Sequence, residues 1–159
     1  MCNDDALDIE AVVEALSREP YVDASRVIAL GQSGGGLASL ALATKNPPWL
    51  KAVLNFAGGL KSSNAHLGDE WERPLVRGFA KLGATNVPSL WIYTENDSYF
   101  GPALVKDLHA AYTKNGAKVR LHQLGPFGRD GHAFWGSAQT VPKWWPLVET
   151  FLQEQGLLK

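Results

Sequence analysis

The sequence predicts an α/β fold in which a mostly parallel sheet carries helices on both faces. Short apolar runs alternate along the chain with segments whose apolar residues recur at helical spacing, which gives the order αβαβαβαβα. Strands and helices that alternate in this way form parallel sheets through right-handed crossovers. The chain has 159 residues, of which 45% are hydrophobic and 19% charged. We therefore expect a single domain, spanning residues 1–159, with one buried core.

The first half of the chain predicts two helices and two strands. A first amphipathic helix is predicted because four apolar residues recur at i, i+3, i+4 and i+7: Ile9, Val12, Val13 and Leu16. This helix ends near Pro20. Residues 27–30 predict a short strand that is apolar on both faces, as parallel strands covered by helices are. A second helix then ends at Asn46, before two prolines, and residues 52–57 predict a second buried strand.

The second half predicts three helices and two more strands. A loop over residues 58–68 leads to a helix with Pro74 in its first turn and Gly83 near its end. Residues 90–93 predict a third buried strand, and the helix after it ends at Gly116. Polar and apolar residues alternate over 119–122, which favours a strand at the edge of the sheet. The last helix begins around Thr140.

Charge and composition exclude several classes of function. The 15 basic and 16 acidic residues are scattered, and no basic stripe indicates a nucleic-acid partner. No apolar run has the length of a membrane span, and the chain opens on polar and acidic residues rather than on a signal peptide. The single cysteine, Cys2, allows no internal disulfide and favours a cytoplasmic location. The four histidines lack the spacing of metal ligands, so neither a metal nor another cofactor is expected.

The most informative motif is Gly31-Gln32-Ser33-Gly34-Gly35, between the first strand and the second helix. This arrangement is typical of a nucleophile elbow, a sharp strand-to-helix turn that presents a serine hydroxyl. We expect the flanking glycines to be needed because side chains there would collide with the strand and the helix. The first N–H groups of the helix point toward the serine and would stabilise negative charge that develops there.

A serine nucleophile needs a histidine base and a carboxylate that orients the histidine. In parallel sheets such groups gather beyond the carboxyl ends of the strands. Asp97 follows the third strand and His132 follows the fourth, which gives the chain order Ser33, Asp97, His132. Glu95 and Asp130 are rival acids, but Glu95 is close to its strand end and Asp130 is only two residues from the histidine. Asp97 can also be interpreted as a helix cap, His132 as a surface histidine, and Ser33 as part of a turn without chemistry.

The sequence is similar to the carboxyl-terminal half of an α/β-hydrolase, and resembles most the dienelactone-hydrolase-like and acyl-peptidase-like members of that superfamily. Residues 22–36, 93–100 and 131–134 carry the likeness, which covers nearly the whole chain. It implies a truncated α/β-hydrolase fold with Ser33 as nucleophile, Asp97 as acid and His132 as base. It also implies that Gln32 packs beside the elbow among the substrate-binding residues, and that the Gly34 N–H is one oxyanion donor. Dienelactone hydrolases proper carry cysteine at the elbow, so Ser33 favours a general ester or amide hydrolase.

The chain departs from that family in lacking the strands that precede the elbow. In the family, a loop among those strands gives the second oxyanion N–H, and no His-Gly-Gly-Gly segment precedes Ser33 here. Losing one such donor typically costs about 10²–10³ in rate. The strand at 27–30 would also have no neighbour on its outer side, and an uncovered apolar edge invites pairing with another chain. We therefore expect a homo-oligomer built at this edge, or a chain cut from a larger protein.

The preferred interpretation is a serine esterase that acts on a small-molecule ester through an acyl-enzyme and needs no cofactor. Tyr99, Phe100 and Trp135 are candidate walls of the substrate pocket. His66 is a further loop residue that is placed to contact substrate, although an ordinary loop role is favoured for it. Two alternatives stay open: an acyl-peptidase-like serine peptidase, and a non-catalytic fragment of a larger hydrolase.

Overall fold

Four parallel strands form one sheet in a computed structural model, which describes residues 2–61 and 70–159. The strands pair in chain order, β1-β2-β3-β4. Their bounds are β1 Val27–Gln32, β2 Leu50–Phe56, β3 Ser89–Thr94 and β4 Val119–Leu124. The helices are α1 Cys2–Leu16, α2 Gly34–Ala43, α3 Glu72–Leu82, α4 Pro102–Thr113 and α5 Val141–Glu154. The α/β class and the alternating order of elements are confirmed. Most of the predicted loop over 58–68, including His66, lies outside the described residues.

The sheet carries a hydrophobic core on each face. On one face, residues of α1, α2, α3 and α4 form a cluster with alternate strand residues such as Val53, Trp91 and Tyr93. On the other face, α5 packs Val148 and Phe151 against the intervening strand residues, which alternate with those of the first face, such as Leu54 and Ile92. The alternation follows from the period-two geometry of a strand, which turns successive side chains to opposite faces. Helices therefore lie on both faces, as predicted.

Two predictions about burial were wrong, and both concern the side of the molecule beyond β1. The strand was predicted to be buried on both faces, but Leu30 is 47% exposed because none of the described elements covers it beside α5. The predicted apolar face of α1 is also only partly buried. Ile9 packs against the core, whereas Val12 and Leu16 are exposed, because α1 packs mainly along α2.

The edge position of β4 is confirmed, since it pairs only with β3. His109 and His122 are half-buried. His109 lies 6.1 Å from the ring of Trp91, and burial lowers the pKa of its imidazole. Burial is also the main cause that lowers the pKa of His122, with a smaller contribution from the Arg120 charge. In the part of the chain that the structure describes, no helix combines the length and apolarity needed to cross a bilayer.

Alanine substitution is expected to have opposite effects at two glycines, Gly78 within α3 and Gly83 at the cap directly after it. A Cβ on Gly83 would lie 1.9 Å from the Tyr112 carbonyl oxygen, whereas a Cβ on Gly78 would meet no atom within 4 Å. Gly83→Ala should lower the free energy of unfolding by about 1–3 kcal/mol through overpacking. Gly78→Ala should raise it by about 0.5–1 kcal/mol, because alanine loses less backbone entropy in a helix. Urea unfolding of both variants checks the pair, and equal effects would contradict the packing of α3 on α4.

Candidate active site

The parallel register brings the ends of the strands to one edge of the molecule. Gln32 is paired with Phe56, Phe56 with Ile92, and Thr94 with Leu124. The segments that follow these residues therefore leave the sheet side by side, as expected for the carboxyl edge of a parallel sheet. Ser33, Asp97 and His132 all lie on these segments.

Ser33 occupies a strained turn between β1 and α2. Its backbone has φ 53° and ψ −122°, a region that residues with a Cβ rarely adopt and that costs of order 1–3 kcal/mol. The turn is tight because a Cβ on Gly31 would lie 2.2 Å from the Gly35 carbonyl carbon. The expected collision is therefore confirmed at Gly31. At Gly35 it was wrong, since a Cβ there meets nothing within 4 Å; the crowded position is Gly36.

The helix that follows begins beside this serine with N–H groups that have no partner within the helix. Gly34 is the first residue of α2, and the first four N–H groups of a helix have no partner within it. Gly34 and Gly35 are both exposed, so a small molecule has access to the amino end of the helix. The positive end of the helix dipole adds to the attraction for an oxyanion at this point.

Asp97 is buried, and both of its carboxylate oxygens are hydrogen-bonded. One carboxylate oxygen accepts from the backbone N–H groups of Tyr99, at 2.8 Å, and Phe100, at 3.0 Å. The other oxygen lies 3.0 Å from Nδ1 of His132. The side chain of Asp97 is 0% exposed and that of His132 is 17% exposed, so little water competes for this contact. Since a carboxylate only accepts, Nδ1 is the protonated nitrogen, which leaves Nε2 of the neutral imidazole as the proton acceptor.

The backbone of His132 is fixed at the same time from two sides. Its N–H donates to Asp130 Oδ1 at 2.9 Å, and its carbonyl accepts from Gln32 Nε2 at 2.7 Å. Gln32 directly precedes Ser33, so this second bond ties the nucleophile turn to the histidine loop. Among the described residues, no hydrogen bond joins Ser33 Oγ to His132. Such contacts are often long in unliganded enzymes and shorten with substrate.

The rival acid Asp130 does not contact the imidazole. Its carboxylate instead accepts from the Ser98 N–H at 3.0 Å, the Ser98 hydroxyl at 2.6 Å, and the N–H of His132. It therefore connects the turn that carries Asp97 to the loop that carries the histidine. The Ser98 hydroxyl is the largest cause that lowers the pKa of Asp130 below its usual 3.8, followed by the backbone N–H groups of His132 and Ser98.

Asn96 makes a second connection between the same two segments. Its side-chain oxygen accepts from the Phe127 N–H, and its nitrogen donates to the Phe127 carbonyl. Its own carbonyl accepts from Gly131 N–H at 3.1 Å. Sequence analysis did not identify this role. The signal was present as an asparagine beside the predicted acid, since this residue type often bonds to nearby backbone.

The candidate substrate residues lie around the imidazole. The rings of Tyr99 and His132 are 4.6 Å apart, and Tyr99 is 45% exposed. Phe100 lies 5.7 Å from the same imidazole but is 1% exposed, so only one of these two aromatic rings faces solvent. Trp135 packs 3.9 Å from the ring of Phe56. With Gln32 and His132, these two rings line a cavity of about 10 Å³, which has room for a single water molecule.

Within residues 2–61 and 70–159, no three His, Cys, Asp or Glu side chains come together as metal ligands. The polar groups near Ser33 form hydrogen bonds with one another instead. The arrangement provides a hydroxyl on a strained turn, an oriented imidazole and the amino end of a helix. These three groups are suited to acyl transfer through a covalent intermediate.

Comparison with known proteins places this geometry in a family. The model of the family described as "Dienelactone hydrolase family" matches residues 3–143. A curated protein from Nocardia uniformis subsp. tsuyamanensis, described as "Putative esterase NocK", is 40% identical over 57 residues. That match covers 36% of this chain and 17% of the Nocardia protein.

Solved structures share the fold at low sequence identity. The crystal structure of a "Putative Dienelactone Hydrolase" from Klebsiella pneumoniae subsp. pneumoniae has a TM-score of 0.69 and 20% identity. The match covers 91% of this chain and 58% of the Klebsiella protein. The acylaminoacyl peptidase of Pyrococcus horikoshii has a TM-score of 0.68 and 18% identity, over 93% of this chain and 27% of the peptidase. The chain therefore spans little more than half of one relative and about a quarter of the other.

The lowered pKa of Asp130 predicts how the connection between the two segments depends on pH. A carboxylate with a depressed pKa stabilises the fold above its unfolded-state pKa of 3.8, and this contribution is lost as the pH falls through the lower folded-state pKa. Asp130→Asn should therefore reduce the free energy of unfolding at pH 6, and the difference from the unsubstituted chain should shrink below about pH 3.8. Urea unfolding between pH 6 and 3 measures this difference in the free energy of unfolding. A difference that stays constant with pH would contradict the stabilising role of the Asp130 carboxylate.

Proposed function

The chain belongs to the dienelactone hydrolase family, and we propose that it is a serine hydrolase that cleaves carboxylic esters through an acyl-enzyme. The observation that carries the proposal is the bond between His132 Nδ1 and the buried Asp97 carboxylate, beside the strained turn of Ser33. A histidine fixed in this tautomer has its free nitrogen available to take a proton from a serine hydroxyl.

In the proposed mechanism, His132 Nε2 removes the proton of Ser33 Oγ as the oxygen attacks the ester carbonyl. The Gly34 N–H, at the amino end of α2, donates to the oxyanion of the tetrahedral intermediate. His132 then returns the proton to the alcohol that leaves, which gives the acyl-enzyme. Water, deprotonated by His132, attacks this intermediate and releases the carboxylic acid. Throughout, Asp97 stabilises the imidazolium.

We propose that Gln32, Tyr99, Phe100 and Trp135 shape the site around the reacting carbonyl. Tyr99 is exposed beside the imidazole and so has a face available to substrate. Trp135 and Gln32 enclose the small cavity behind His132. Because that cavity holds only about one water molecule, the bulk of an acyl or alcohol group would lie on the open side, next to Tyr99.

A peptidase is the second candidate, because the fold is shared with the Pyrococcus acylaminoacyl peptidase over 93% of this chain. The two activities differ in the leaving group. An amide releases an amine, which must be protonated before it leaves, whereas an ester of an alcohol with a low pKa can release that alcohol as its anion. Comparing p-nitrophenyl esters with peptide p-nitroanilides separates them. Turnover of the ester alone favours the esterase, and efficient turnover of the anilide favours the peptidase.

We also propose that the free edge of β1 pairs with a strand from a second copy of the chain. β1 lies at one edge of the sheet, and its residue Leu30 is 47% exposed. Residues 2–26 form α1 and a turn and contain no strand. A partner strand along β1 would end beside Ser33, where its terminal N–H groups would be available as a second oxyanion donor.

Ser33→Ala tests the nucleophile. The variant should lose both fluorophosphonate labelling and p-nitrophenyl acetate turnover, because alanine has no oxygen to acylate. Intact-mass spectrometry and ester assays measure the two effects. Ser25→Ala is the matched control, since Ser25 is exposed and its hydroxyl donates to Asp23 Oδ1. Equal labelling of the unsubstituted chain and Ser33→Ala would remove the assignment.

Leu30→Lys tests the edge. A charge at this exposed position should oppose association, since charged side chains are a common protection of sheet edges. Sedimentation velocity at micromolar concentration should show an oligomer for the unsubstituted chain and a monomer for the variant. Val12→Lys, at a position 57% exposed on α1, should remain associated. A stable monomer without any substitution would contradict the proposed pairing.

A further inference from the structure

A buried polar network lies behind the nucleophile turn and has no part in the proposed acyl-enzyme mechanism. Asn55 lies in β2 and Tyr93 in β3, and the two residues are 0% and 1% exposed. Asn55 Nδ2 donates to the Tyr93 hydroxyl at 3.2 Å, and that hydroxyl donates to the Gly58 carbonyl at 2.6 Å. Burying such groups is costly unless they are hydrogen-bonded, so a pair in the middle of an apolar sheet requires a physical reason.

The network ends on the turn that follows β2, and this turn holds Ser33. The Ser33 N–H donates to the Phe56 carbonyl at 3.0 Å, and the Ser33 carbonyl accepts from the Gly59 N–H at 3.1 Å. Both peptide groups of the strained serine are therefore bonded to residues 56–59. Between them, Ala57 is itself strained, with φ 47°, and its N–H donates to the Ile92 carbonyl.

Close packing leaves the Asn55 side chain little freedom. A Cβ on Gly58 would lie 1.8 Å from Asn55 Oδ1, and a Cβ on Gly36 would lie 2.3 Å from the same atom. The amide is therefore wedged between the first turn of α2 and the turn after β2. Asn55 also pairs with Gly31 in the β1–β2 register, directly behind the nucleophile turn.

We propose that Tyr93 and Asn55 are positioning residues for Ser33: together they fix the 57–59 turn, and this turn holds the serine backbone in its strained conformation. The inference rests on the proposed role of Ser33 as nucleophile. Strained backbone persists only where its surroundings over-determine it, and here two strained residues brace each other through a common set of hydrogen bonds. Removing the tyrosine hydroxyl should let the turn relax and misplace Ser33 Oγ without opening the core.

Tyr93→Phe tests this role, because it deletes one oxygen and keeps the ring packed. We expect kcat for a p-nitrophenyl ester to fall about tenfold, the effect of losing one buried hydrogen bond, with KM unchanged. Amide hydrogen exchange should become faster at Ser33 and Gly59 but not at Val53, whose N–H bonds to the Pro88 carbonyl in the same sheet. Tyr112→Phe is the matched control: Tyr112 is equally buried, beside Trp91 and away from the elbow, and should change neither readout.

The outcomes are distinct from those that test the proposed function. An unchanged kcat in Tyr93→Phe overturns the positioning role, even if the melting temperature falls. Faster exchange that includes Val53, or that Tyr112→Phe reproduces, also overturns it, since the effect would then be general destabilisation. If the unsubstituted chain neither turns over ester nor labels at Ser33, the proposed function fails. In that case the exchange rates at Ser33 and Gly59 still decide whether Tyr93 holds the turn.

Discussion

The left-handed backbone at Ser33 is the constraint on which the rest of the site depends. A serine reaches φ 53° only when neighbouring atoms leave it no relaxed alternative, and the close approach of Gly31 and Gly36 to the turn supplies that restriction. The same turn places Ser33 directly before the first residue of α2. Hydrogen bonds from the segment after β2 then fix both peptide groups of the serine.

His132 shows how the remaining groups are brought to this turn. Its ring is held by Asp97, its N–H by Asp130 and its carbonyl by Gln32, so three segments from different strands meet on one residue. Two of these bonds join parts of the chain that are remote in sequence, since Asp97 and Gln32 lie 35 and 100 residues before His132. The parallel register makes this convergence possible, because every strand delivers its carboxyl end to the same edge.

Much of this arrangement could be predicted from local patterns. Alternating apolar runs and helical periodicity predicted the order of strands and helices along the chain, and the Gly-x-Ser-x-Gly motif located the strained serine. Burial around β1 was less predictable. An apolar residue such as Leu30 indicates that burial is favoured, but it does not indicate which element would pack over it. The contacts of Asn55, Asn96 and Asp130 depend on which side chains meet after folding. Asn55 was nevertheless visible as a polar residue inside an apolar strand.

The most direct test of the central claim is the crystal structure of the chain after reaction with a small fluorophosphonate. We expect phosphorus bonded to Ser33 Oγ, with the phosphoryl oxygen about 2.7–3.1 Å from the Gly34 nitrogen. His132 Nε2 should lie within about 3.2 Å of Ser33 Oγ while Nδ1 keeps its bond to Asp97. An adduct on another residue, or a Ser33 adduct from which the imidazole is turned away, would contradict it.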